Sequence, residues 1–176
     1  MTGLVNFASQ LGSLFAVFLP AFCYVGALWL FGFSAWGFWQ QAQPHNPYRA
    51  KPRIPVLSLI LCGVLASFDK FLTMANATAG SGIVVGLTSY SAPSAGSTFA
   101  LGSSPADTIV NIVTLFELFF QAFGAMVCLF ALLSWRSTVN GTSRRTQGGA
   151  VIQFIFGVML INVVTVTSWL VSVLTV

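Results

Sequence analysis

The sequence predicts an all-α membrane protein whose four transmembrane helices form two parallel helical hairpins. Three observations lead there. Residues 150–176, AVIQFIFGVMLINVVTVTSWLVSVLTV, carry no charge, no proline and one glycine. About 20 such residues, at 1.5 Å rise each, cross a hydrocarbon core, whereas a soluble core helix would show a polar stripe. The whole chain of 176 residues is 56% hydrophobic and only 6% charged, with a mean hydropathy of +0.88. A soluble domain carries about 25% charged residues, so this chain has too few to cover its surface in water. Finally, six of its seven Lys and Arg fall in two short stretches, 44–54 and 136–149. Bilayers sort such residues into cytoplasmic loops.

Residues 1–13 carry no charge, and the first basic residue is Arg49. A secretory signal begins with a positive region, so cleavage is not indicated. The uncharged lead-in is expected to lie at the interface or to extend the first span. That span covers about 14–39. Pro20 is expected to kink it or to mark its start. Gly26, Gly32 and Gly37 open one side to close helix contact, and Trp36 and Trp39 form an interfacial belt.

The first turn, QQAQPHNPYRAKPRIP, holds Arg49, Lys51, Arg53 and four prolines that forbid a helix. His45, the single histidine, reads as a solvated loop residue rather than a ligand. Span two covers about 55–74 and completes a first hairpin, 1–75. Asp69 and Lys70 sit inside it. Adjacent residues on a helix do not face each other, so each needs another partner or a route to water.

Residues 76–106 form a non-cytoplasmic connector rich in Gly, Ser, Thr and Ala, with no basic residue. The second hairpin, 107–176, opens with span three at about 107–135. Ser104 or Asp107 would cap its start. Glu117 and Gln121 share one face, and Gly124 with Ala125 makes another close-contact patch. Arg136, Arg144 and Arg145 occupy the second turn, where Asn140-Gly141 is a turn signal. Span four covers about 150–176 and has Gln153, Asn162 and Thr165 as its polar positions.

Both basic turns belong on the cytoplasmic side, which puts both termini and the connector on the other. The chain then reads as a parallel duplication. Phe-Ala-Leu-Leu-Ser-Trp before the second turn echoes Phe-Gly-Phe-Ser-Ala-Trp before the first. Cys62-Gly63-Val64 echoes Phe156-Gly157-Val158.

No hydrolase, nucleotide-binding or metal motif is present, and three carboxylates with one histidine leave little for acid–base catalysis. An enzyme is not expected, nor a cofactor or a metal. Cys23, Cys62 and Cys128 lie in separate apolar segments and read as buried apolar residues. The distinctive group is the intramembrane polar set of Asp69, Lys70, Glu117, Gln121 and Asn162. Such residues face protein or water. Glu117 lies about 15 Å along its span, within reach of a flexible Lys70 stem. A Lys70–Glu117 pair, within or between subunits, that fixes helix register is the favoured reading. An ion path through Glu117, Lys70 and Asp69 is the alternative, although a transporter would show broken helices and more midplane polar groups.

The segments PHNPYRAKPRIPVLSLILCG and TQGGAVIQFIFGVMLINVV resemble the TraQ / IcmC (DotE) family, small polytopic inner-membrane components of type IVB secretion and IncI-type conjugation systems. A hairpin with a basic cytoplasmic turn is also similar to the two-span pilins of type IVA conjugation systems. The resemblance implies a structural, self-assembling subunit in the bacterial inner membrane, or in an extracellular pilus after assembly. Its implied partners are further copies of itself, phospholipid and other secretion subunits. DNA or protein would pass without sequence-specific binding. By the same analogy Arg49, Lys51, Arg53, Arg136, Arg144 and Arg145 would face a lumen or lipid headgroups. A small transporter or channel, or a membrane chaperone or immunity-type partner, are the competing expectations.

Overall fold

The computed structural model describes residues 2–43, 53–82, 84–85, 105–144 and 146–174. His45, Arg49, Lys51, Arg145, Ser104, most of the connector and the side chain of Asp107 lie outside them. The described residues form seven helices and no strand: α1 (Thr2–Ala42), α2 (Arg53–Ala66), α3 (Phe68–Thr78), α4 (Pro105–Leu115), α5 (Glu117–Val139), α6 (Gln147–Ile161) and α7 (Val163–Leu174).

The uncharged lead-in is part of α1, and Pro20 does not end that helix. A proline removes one backbone donor, but an apolar surrounding gives the chain no better way to pair the remaining N–H and C=O groups than to stay helical. One stripe of α1 faces the protein: Leu19, Cys23, Ala27, Leu30 and Ser34 are buried, three or four residues apart. They pack with Leu61 and Leu65 of α2, Phe68 and Leu72 of α3, Leu129 and Leu132 of α5 and Ile161 of α6 in one core.

Two antiparallel pairs build the bundle, and glycine sets the distance in each. In the α1/α2 pair, a Cβ on Gly37 would stand 3.0 Å from the Pro55 ring and one on Gly26 3.0 Å from Leu65. Gly32 faces open space. The α5/α6 pair is tighter. A Cβ on Gly124 would lie 2.7 Å from the carbonyl oxygen of Gly157, and one on Gly157 2.9 Å from the backbone of Gly124 and Cys128. The close-contact patches at Gly26, Gly37 and Gly124 therefore lie where the sequence puts them.

The two pairs point the same way. Near the end of α5, the Arg136 Nε–H donates to Ser58 Oγ, early in α2, at 3.2 Å. Its guanidinium carbon stands 5.5 Å from the Phe33 ring of α1. The end of α1, the start of α2 and the end of α5 thus meet.

Two helices, Gln10–Ala42 within α1 and Phe119–Val139 within α5, are long and apolar enough to cross a membrane. The count rises to four if each bent pair is one span. Spans two and four are not straight rods. α2 and α3 meet at 88°, and α6 and α7 at 84°. Alone, α2 and α6 cover about 21–23 Å, short of a hydrocarbon core of about 30 Å. Span three is also divided, by a single turn residue, Phe116, whose N–H bonds the carbonyl of Val113 rather than the one four residues back.

Gly124→Ala and Gly157→Ala should each lower the thermal stability of the purified chain, by about 1–3 kcal/mol for overpacking against backbone. Gly32→Ala should be neutral within a few tenths of a kcal/mol. Thermal unfolding in detergent, followed by size-exclusion recovery, checks all three.

Candidate functional site

The site begins with the two breaks, because a break is where an apolar helix exposes backbone. Both use one device. At Ser67 the backbone N–H and the side-chain hydroxyl both donate to the carbonyl of Gly63, at 3.2 and 2.8 Å. At Asn162 the backbone N–H and Nδ2 both donate to the carbonyl of Val158, at 3.1 and 2.8 Å. A short polar side chain bonding back to the carbonyl four residues earlier competes with the helical ladder and bends the helix. Neither residue reads as a breaker in sequence, since neither is a proline or a glycine.

Asn162 lies at the centre of the site. It is buried, and its Nδ2 also donates to Asn76 Oδ1 of α3 at 3.0 Å. Asn76 is fully buried. Its carbonyl receives both the N–H and the hydroxyl of Ser81, at 3.0 and 3.3 Å, so the chain leaving α3 turns back over it. Val85 is buried, and its N–H donates to Thr73 Oγ1 at 3.2 Å. The amide pair joins the two halves of the chain across 86 residues. Among the described residues, it leaves Asn76 Nδ2 and Asn162 Oδ1 buried with no hydrogen-bond partner. Sequence reasoning missed Asn76 by assigning it to the connector. The signal was present: Phe68, Leu72 and Asn76 repeat every four residues and all three are buried.

The intramembrane carboxylates have a different setting from the expected one. Asp69 lies in the first turn of α3 and Glu117 in the first turn of α5, each just after a break. Among the described residues of one chain, Lys70 and Glu117 do not pair. Lys70 is exposed, and Glu117 Oε1 accepts from Gln121 Nε2 at 3.0 Å. The right-angle bend at Ser67 carries Lys70 off the line of a straight second span. The helix dipole supplies the reason no cation is needed, because the first turn of a helix is positive and favours a carboxylate. Among the described residues, Asp69, Lys70 and Glu117 do not form one cluster with Asn162.

Of the basic residues, Arg53 and Arg144 are exposed, and Arg136 is half-buried between Ser58 and Phe33. Trp36 and Trp39, with ring centroids 5.3 Å apart, stand exposed near this end of α1. Cys23 and Cys128 are buried and Cys62 partly so, all as free thiols. Among the described residues no group of three or more His, Cys, Asp or Glu side chains could hold a metal ion.

No family model matches the chain, no curated protein matches its sequence, and no solved structure matches its fold.

Asn162→Leu leaves the buried Asn76 amide wholly unpaired and should cost about 1 kcal/mol or more of stability. Asn76→Leu with Asn162→Leu should cost less than the sum of the two single changes. A double-mutant cycle on thermal unfolding in detergent reads this coupling.

Proposed function

We propose that the chain is a structural integral membrane subunit that works by assembling with lipid and with further copies of itself. The observation that carries the reading is the bareness of α1. Only 24% of its most apolar window is buried within the chain. Val17, Leu28 and Trp29 are each more than two-thirds exposed, and Phe18, Phe22 and Val25 widen the same apolar surface. Water cannot cover such a surface, and lipid or a second subunit can.

In this reading each bent pair is one tilted span, and the four spans make two parallel hairpins. The basic turns face the cytoplasm, and both termini lie across a bacterial inner membrane. The meeting of the end of α1, the start of α2 and the end of α5, and the resemblance of segments 44–63 and 146–164 to TraQ / IcmC proteins, support a place in a conjugation or type IV secretion apparatus. Phospholipid would pack between subunits, and DNA or protein would pass without sequence-specific contact.

A second reading, a small channel or transporter, is favoured by one observation that the sequence did not supply. Two helices break inside apolar runs, and a buried amide pair with two unmatched polar atoms joins their halves. Discontinuous helices of this kind line polar paths in membrane transporters. The ion path through Glu117, Lys70 and Asp69 would then need Asn76 and Asn162 as its inner members.

In a chain with Cys23, Cys62 and Cys128 replaced by Ala, a single cysteine at Val25 should crosslink into dimers and higher species. Electron micrographs of the purified chain should show rings or filaments, with phospholipid in fixed molar ratio. Particles of one chain with no crosslink would sink the assembly reading. Glu117→Gln separates the two readings: lost assembly supports the first, and intact assembly with altered ion flux in vesicles supports the second. Cysteines at positions 51 and 144 should react from the same face in cells.

A further inference from the structure

Arg136 is the one described cation that the fold partly encloses, and the chain gives it no counter-charge. Its Nε–H is used on Ser58 Oγ at 3.2 Å, which is itself fixed by donating to the carbonyl of Ile54 at 3.1 Å. The Phe33 ring lies 5.5 Å from the guanidinium carbon. Helices α1, α2 and α5 therefore each hold one side of the group, and among the described residues nothing engages its two terminal nitrogens. The chain has only three carboxylates, Asp69, Asp107 and Glu117. Glu117 is about 28 Å back along α5. Asp107 is on α4, earlier still, and Asp69 is beyond the break at Ser67. None shares this end of the bundle. A half-buried guanidinium without an acid is costly unless an anion from outside completes it.

We infer that Arg136 is a binding site for a phosphate anion, held by the fork of the two terminal nitrogens while Ser58 and Phe33 fix the plane of the group. The terminal nitrogens of Arg match two phosphate oxygens, and the fork is preorganised once Nε is engaged. Trp36 and Trp39 mark the depth at which headgroups lie, so a phospholipid phosphate is at hand. This rests on the reading that this end of the bundle meets a membrane face. It adds to that reading one defined residue in place of a diffuse attraction by the basic turns.

The test uses the full chain in micelles of a neutral maltoside detergent. Dioleoylphosphatidylglycerol, dioleoylglycerol and inorganic phosphate are titrated separately, and the thermal transition and the bound lipid count by native mass spectrometry are read. Phosphatidylglycerol should raise the transition saturably, while dioleoylglycerol, with the same acyl chains and no phosphate, should not. Arg136→Gln should weaken phosphatidylglycerol binding at least tenfold. Arg136→Lys should fall between that variant and the original, and Arg144→Gln should stay within about twofold of the original. If inorganic phosphate produces the same Arg136-dependent shift, the ligand is the free anion; if it does not, the ligand is the lipid.

Equal stabilisation by dioleoylglycerol, or unchanged binding in Arg136→Gln, overturns the site. Should Arg136→Gln fail to fold, Phe33→Leu and Ser58→Ala keep the charge and remove its supports. Each should weaken binding severalfold, and no change in both overturns the site. Particle size measured in the same samples keeps the assembly reading separate. Single-chain particles that still bind through Arg136 would remove assembly and leave the site.

Discussion

In an apolar surrounding, a backbone carbonyl or amide that loses its helical partner must find another within the protein. That constraint governs where this chain is allowed to bend. At both right-angle bends the carbonyl one turn back keeps its backbone donor and gains a second, the hydroxyl of Ser67 on Gly63 and the amide of Asn162 on Val158. The bends in turn decide the rest of the polar chemistry. They create new helix starts in mid-chain, bring α3 up to the α6/α7 junction, and leave Asn76 facing Asn162 in a core otherwise made of Leu, Ile, Phe, Ala and Cys.

The same helix ends account for the charged residues. Asp69 and Glu117 stand in first turns, where the dipole is positive, and Arg136 stands in the last turn of α5, where it is negative. A chain with three acids and seven bases has no need to match them in pairs if each carboxylate meets a positive helix start. What this leaves over, among the described residues, is a group of cations, Arg53, Arg136 and Arg144, with no acid beside it.

Much of this was legible in the sequence. The 150–176 run and the scarcity of charge gave the class. The contacts of Arg136 with Ser58 and Phe33 bring together the end of α1, the start of α2 and the end of α5, and the first basic turn itself lies largely outside the described residues. Gly26, Gly37 and Gly124 sit at helix contacts as their spacing indicated, whereas Gly32 meets nothing. The breaks were illegible for a physical reason. Hydropathy averages over a window and does not register a bend, and back-bonding by one Ser or Asn leaves no trace in composition. Pro20 is the reverse case: the strongest breaker in the alphabet lies inside a continuous helix. Asn76 was lost to the connector because its neighbours are small and polar. Only its place four residues after Leu72 marks it as inward-facing.

Setting α2 and α3 beside α6 and α7 shows why there is one amide pair and not two. Gly63 and Gly157 each come ten residues after the helix start, at Arg53 and Gln147. The break follows four residues later in the first half and five later in the second. One residue is about 100° of helical rotation. The shift therefore turns the break residue from the outer face, where Ser67 is exposed, to the inner face, where Asn162 is buried. The position in the first half that matches Asn162 is Phe68, also buried. A phenyl ring there adds to the core, and the first half supplies its polar group two turns later, from Asn76. The two halves thus share a backbone plan and contribute different chemistry to one point. The result is a buried amide pair that, with the Arg136–Ser58 contact, ties the two halves of the chain together.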